Sequence, residues 1–281
     1  MKTMIVTDSS CDLMSLETGS PEIGFDTVPF VMNIAGRDFV DDENLAVPAM
    51  VDAMEAADAS HSACPSPAAW QEMFEQADQV IAMTISGRLS GSYNSAMTGK
   101  AMALEDHPEK KIEVIDSLST GPKLVMLVQG ALKQLQNQVP FDKVVSSCRE
   151  MASSARTIFT LSSFHNLVQN GRVSKIAGFL AGKLGIRVIG VGSREGEIQL
   201  KELMRGEQRT LKKIIKDMDE NGYQGSSMSI SHCMNESMAQ SLKQMIQARW
   251  ESAKVQILPT RGLDSYYAER SGLIICYPTA G

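Results

Sequence analysis

The densest chemistry in the chain lies in Thr84-Ile85-Ser86-Gly87-Arg88-Leu89-Ser90-Gly91-Ser92-Tyr93, directly behind the apolar run Val80-Ile81-Ala82-Met83. Such a run, closed by glycines and hydroxyls, predicts a buried strand entering a tight loop. Residues 93–104 carry Ala96, Met97, Met102, Ala103 and Leu104, which predicts a helix after the loop. A helix start leaves backbone N–H groups unpaired and turns the positive end of its dipole outward. With Ser86, Ser90 and Ser92 beside it, that geometry suits a small anion, a carboxylate or a phosphate. The same residues would also form an ordinary serine-rich turn capping its own helix.

Arg172 is the second candidate. It follows Gly171 and precedes the apolar segment 176–184, where a guanidinium is placed to meet a buried anion or a neighbouring carboxylate. That segment mixes small residues with Leu and Phe and predicts a helix, either lining a tunnel or packing as core. The 18 methionines would suit an adaptable apolar lining. An anion site beside an apolar wall fits an amphiphile with an acidic head, such as a fatty acid. Burying a tail of about 16 carbons at ~0.8 kcal/mol per methylene is worth on the order of 10 kcal/mol before ordering costs.

Other chemistries fit less well. A nucleophile elbow needs G-x-S-x-G, and Ser90 in Arg88-Leu89-Ser90-Gly91-Ser92 lacks the first glycine. His61 and His232 are paired with no serine by the sequence. Cys233 follows His232 at a strand end, where neighbouring side chains point apart. Asp38, Asp41, Asp42 and Glu43 lack the spacing of a calcium loop and predict a solvated turn. Five scattered cysteines without a C-x-x-C pair and four dispersed histidines predict reduced thiols in a cytoplasmic protein with no metal site.

A net charge of −6 argues against a nucleic-acid binder. No uncharged apolar run reaches the roughly 18 residues of a membrane span, and Asp8 cuts short the first apolar stretch, so neither membrane insertion nor a leader is expected.

In residues 1–155 strand and helix signals alternate. Strands are predicted at 4–6, 26–32, 80–85 and 112–115, with helices at 47–56, 67–76, from 93, and around 124–128. Ser66 followed by Pro67 is a helix start. Alternation predicts a mainly parallel sheet flanked by helices, with ligand loops at the strand C-termini. The strand ends at 8–10, 86–92 and 116–120 share hydroxyl and carboxylate chemistry and should converge on one rim. Residues 156–281 read differently, with a hairpin at 186–203, strands at 156–164, 228–230, 255–258 and 273–277, and helices near 208–218 and 236–249. A second, mixed α/β domain is expected there, with a ligand between the two.

The order of several motifs resembles the DegV-type fatty-acid-binding proteins over nearly the whole length. Ile5-Val6-Thr7-Asp8-Ser9-Ser10 is similar to that family's first strand and loop, and Val28-Pro29-Phe30 with Gly36-Arg37-Asp38-Phe39-Val40-Asp41 to its next block. Ser62-Ala63-Cys64-Pro65-Ser66-Pro67 stands where the family has T-S-Q-P-S-P. Residues 85–93 resemble S-x-x-L-S-G-T-Y, and Asn170-Gly171-Arg172-Val173-Ser174 resembles G-G-R-I-S. The resemblance implies a fatty acid between two α/β domains, its carboxylate held by Ser62 and Ser90, with the Gly91 amide close by and Arg172 supporting the polar end. It further implies a non-enzymatic carrier, without cofactor, that presents its acyl chain to a fatty acid kinase or to phospholipid synthesis. The family's H-x-G-P-G is replaced by Tyr266-Tyr267-Ala268-Glu269-Arg270-Ser271-Gly272, which leaves Tyr266 or Tyr267 to supply the missing polar group. The alternative is a hydrolase or transferase acting on a small carboxylated or phosphorylated substrate at the same loop.

Overall fold

The computed structural model describes residues 2–173 and 185–279. The first sheet joins β1 (Thr3–Asp8), β2 (Ile23–Val28), β6 (Gln79–Thr84) and β7 (Lys111–Asp116) in the order β2-β1-β6-β7, all parallel. Its central strands β1 and β6 are buried throughout, which their unbroken apolar runs require. Side chains alternate across the sheet. Ile5, Ile81, Met83 and Ile115 pack on α4 (Pro122–Gln136) and α5 (Phe141–Ser154), whereas Met4, Val6, Val80, Ala82 and Val114 pack on α2 (Pro67–Phe74) and α3 (Ser92–Asp106). Ser66 caps α2 as expected, its hydroxyl accepting the Ala69 amide at 3.2 Å.

The predicted strand 26–32 divides. Pro29 cannot donate to a ladder, and the chain leaves the parallel sheet after Val28 to enter β3 (Val31–Ile34). With β4 (Arg37–Val40) and β5 (Ser60–Ala63), β3 forms a small antiparallel sheet that sequence periodicity did not reveal. Between them, α1 (Val47–Glu55) lies close to its predicted span.

The strands of the third sheet all follow residue 155. Its order is β10 (Ile198–Arg205), β9 (Ile186–Gly192), β8 (Arg156–Leu161), β13 (Leu273–Tyr277), β11 (Met228–His232) and β12 (Val255–Pro259), antiparallel except between β11 and β12. One face, with Ile158, Ile189, Ile230 and Ile275, packs on α7 (Glu207–Glu220) and α8 (Glu236–Arg249). The opposite face presents Phe159, Leu161, Val188 and Ile274. These join Phe30, Met32, Met50 and Ile85 from the first half of the chain, and Leu167 of α6 (His165–Gln169) and Leu263 of α9 (Gly262–Ala268), in one core. That shared core is where a ligand between the two sheet systems would lie.

Candidate functional site

The three polar strand ends do converge, and Asp8 ties them. Its carboxylate accepts Ser10 Oγ at 2.5 Å, Ser92 Oγ at 2.6 Å and the Ile85 amide at 3.0 Å. The loop after β6 is then held to the loop after β7 by Ser86 N on Ser119 O at 2.8 Å and Gly87 N on Asp116 Oδ2 at 3.1 Å. Gly121 N on Ser10 O, 2.8 Å, closes the set.

This wiring separates the three loop serines. Ser92 is committed to Asp8, and Ser86 Oγ donates to Gly196 O at 2.8 Å, pinning the β9–β10 hairpin across the interface. Both hydroxyl protons are therefore used within the protein. Ser90 does not share that fate. It lines a cavity together with Ser62, Arg172, Thr120, Asp264 and Tyr267. Three of the four expected site residues thus meet in one place, although Ser62 comes from β5, Ser90 from the loop before α3 and Arg172 from the turn after α6. Gly91 stands just outside, in the open groove that Ser90 and Arg172 also border.

Each polar side chain retains hydrogen-bonding capacity. Ser62 Oγ shares one hydrogen bond with Tyr267 OH at 2.8 Å. Arg172 donates to two backbone carbonyls, Leu89 O at 3.1 Å and Asn170 O at 2.5 Å, and pairs with no carboxylate among the described residues. A guanidinium has five N–H donors, so it is oriented without being saturated. The two tyrosines that follow Ser265 behave differently. Tyr266 OH is engaged by Ser60 Oγ at 2.7 Å and by Asn170 Nδ2 at 3.0 Å, a structural role. Tyr267 faces the cavity.

The cavity that bears these polar groups runs into a second, more apolar one. Leu89, Thr120, Leu167, Ile198, Asp264 and Tyr267 line both, and the inner space is completed by Phe159, Leu161 and Ile274 on the free face of the third sheet. The predicted apolar helix 176–184 lies outside the described residues. The apolar wall that is described comes instead from strands β8, β10 and β13 and from α6.

Beneath the cavity sits a buried acid junction whose importance the sequence did not convey. Asp41, expected in a solvated turn, is fully buried, and this corrects that expectation. The start of α9 docks on it: Gly262 N and Leu263 N donate to its two carboxylate oxygens at 2.9 and 2.8 Å, and Arg261 Nε lies 3.5 Å from Oδ1. Burial pushes the Asp41 carboxyl up, against the pull of Arg261 and the two amides. Arg261 also donates to Leu13 O and Thr27 Oγ1, and its amide donates to Asp12 Oδ1 at 2.8 Å. Asp264 Oδ1 accepts Thr120 Oγ1 at 2.5 Å. The remaining oxygens, Asp12 Oδ2 and Asp264 Oδ2, are buried with no partner and converge on Gly121. A Cβ on that residue would stand 2.8 Å from the first and 2.3 Å from the second, and its φ of +56° also demands glycine. Burial above all, with the neighbouring acid charges adding, pushes Asp12 up to about 7 and Asp264 well above its ordinary range. The pair therefore favours carrying a proton, as buried carboxyls of like charge do.

Among the described residues, no histidine lines either cavity. Among those residues no group of three or more His, Cys, Asp or Glu side chains is arranged to hold a metal, and no helix is long and apolar enough to cross a membrane. The described cysteines are free thiols.

Fold and site define an α/β protein enclosing a cavity with a polar mouth and an apolar interior. The chain belongs to the DegV family: the model of that family, described as an uncharacterised protein family, matches residues 2–269. A DegV domain-containing protein of Streptococcus pneumoniae strain R6 is 38% identical over 278 residues, 99% of each chain. Among solved structures, the S. pneumoniae fatty acid kinase (Fak) B3 protein loaded with linoleic acid superposes with a TM-score of 0.96 at 37% identity, covering 100% of both chains. A DegV family protein of Eubacterium eligens loaded with heptadecanoic acid gives 0.94 at 35% identity, covering 99% of this chain and 100% of that one.

Proposed function

We propose that this protein binds one long-chain fatty acid without reacting with it and carries it, in the cytoplasm, to a fatty acid kinase. In this reading residues 1–155 and 156–281 are two domains that close on the ligand. The carboxylate takes hydrogen bonds from Ser62 and Ser90, with Arg172 opposite to balance its charge and the Gly91 amide at the rim. Tyr267, already bonded to Ser62, fills the place of the family's histidine and orients that hydroxyl. The chain runs past Leu167 and Ile198 toward Phe159, Leu161 and Ile274. Asp264 borders the site without repelling the acid head, because its neighbourhood favours the protonated form.

The observation that carries this reading is the continuity of a hydroxyl-lined and an apolar cavity through shared residues. Fatty acids in two solved family members with at least 35% identity support it. Organic extraction of the purified protein followed by mass spectrometry tests it. The expected result is about one fatty acid per chain, with affinity lowered about a hundredfold in a Ser62→Ala/Ser90→Ala double variant, since a hydrogen bond to a charged group contributes about 1.5–3 kcal/mol. A lipid-free protein that hydrolyses a soluble ester would overturn it.

A further inference from the structure

Another cavity borders the turn of the β9–β10 hairpin, and its chemistry is opposite to that of the acid junction. Lys123, the second residue of α4, is only 4% exposed yet lines it. Arg156 at the start of β8 and Arg194 at the hairpin turn line it too, with Ser154, Ser193 and Asn221 supplying neutral polar groups. No aspartate or glutamate lines it among the described residues. The cavity volume is about 450 Å³, far beyond the roughly 10–15 Å³ that one water needs.

None of the three cations makes a hydrogen bond or ion pair with a described residue. Asp116 and Cys276 influence Lys123 at a distance, and Tyr277 and Glu195 feel Arg156 and Arg194, but none of these contacts is a bond. Burial lowers the Lys123 ammonium's hold on its proton. The adjoining cavity, which Arg156 and Arg194 also line, does hold acids, and there Lys213 is satisfied by Glu202 at 2.9 Å and by Asp217. A largely buried lysine without a bonded partner is costly, and half-buried Arg156 and exposed Arg194 join Lys123 around one space in a chain of net charge −6.

We infer that this cavity is an anion site for a phosphate-class group, held by Lys123, Arg156 and Arg194 and separate from the fatty-acid cavity. Two basic forks and an ammonium, with hydroxyls and an amide between them, match the tetrahedral oxygens of a phosphate or phosphate monoester. Gly192 lines this cavity and also the apolar one, so an anion here would brace the strand that walls the acyl chain.

The inference does not rest on the fatty-acid reading, and its test is separate. Inorganic phosphate and phenyl phosphate are titrated into the full chain while backbone amide NMR shifts of Ser193 and Asn221 are followed. Saturable shifts are expected, with affinity reduced about tenfold or more in Lys123→Met and several-fold in Arg194→Gln, and unchanged in Lys213→Met. The tighter of the two probes identifies whether the natural ligand is free phosphate or an ester. Bound fatty acid, measured by mass spectrometry, should be the same in all three variants. Should Lys123→Met not fold, exposed Arg194 still decides. Absence of saturable shifts in the wild type, or equal affinity in a folded Lys123→Met or in Arg194→Gln, overturns the site.

Discussion

The cavity mouth and the acid junction are both polar clusters where the two halves of the chain meet, yet they are built on different terms. At the junction, Asp41 takes two amides and a guanidinium, and Arg261 reaches Leu13, Thr27 and Asp41. At the mouth, Ser62 has one partner, Arg172 uses two of its donors, and Ser90 Oγ accepts one amide at 3.2 Å. Asp41, with both carboxylate oxygens engaged, holds elements together, whereas groups with capacity in reserve at an open mouth can meet a ligand. The distinction separates Ser90 from Ser86 and Ser92, which are the same residue type in the same loop.

The comparison breaks most sharply at Asp41. Asp41→Ala leaves Arg261 buried without its carboxylate and should cost about 3–5 kcal/mol of stability, measured by denaturant unfolding. An unchanged midpoint would mean the junction is not structural. Gly121→Ala comes next, at about 1–3 kcal/mol, because the new methyl meets both acid oxygens in a left-handed backbone. Ligand affinity should follow stability in that variant only weakly, since Ser62 and Ser90 are untouched.

The raised proton affinity of Asp12 and Asp264 gives a pH test. A carboxyl raised from 3.8 to about 7 in the folded state holds a proton that the unfolded chain releases. Its contribution to stability is complete below 3.8 and is lost as pH rises through about 7. Asp12→Asn keeps an oxygen for the Arg261 amide and offers Asp264 a permanent donor. Its Tm should therefore fall less steeply with pH than the wild type's, with a gain on the order of 1 kcal/mol at the alkaline end. Parallel Tm profiles would dismiss that raised proton affinity. The smallest effect sharpens the other side of the comparison: Tyr267→Phe removes one hydrogen bond to Ser62 and should weaken fatty-acid binding by about fivefold, roughly 1 kcal/mol, with stability almost unaffected.

Elements with a strong apolar signal were legible in the sequence. The β1 and β6 runs are buried on both faces, and α8 and β13 fall on their predicted spans. The helix α5 was missed although Phe141, Val144, Val145, Cys148 and Ala152 give its buried stripe. The β5 strand, Ser-His-Ser-Ala, has no apolar period, so Ser62 came only through the family resemblance. The short α9 is held by Asp41, more than 200 residues away in sequence, and no local pattern announces it. That distance is also why Tyr267 and Asp264 could not be placed beside Ser62 and Thr120 before the fold was known. Ser90 and Arg172 were readable because each sits at a glycine-marked break next to apolar sequence.

A crystal structure of the protein with a long-chain fatty acid tests the central claim most directly. The carboxylate should lie within hydrogen-bond distance of Ser62 Oγ and Ser90 Oγ, with the hydrocarbon against Phe159, Leu161 and Ile274. Density for the carboxylate in the open groove by Gly91, or for the chain anywhere outside the apolar cavity, would contradict it.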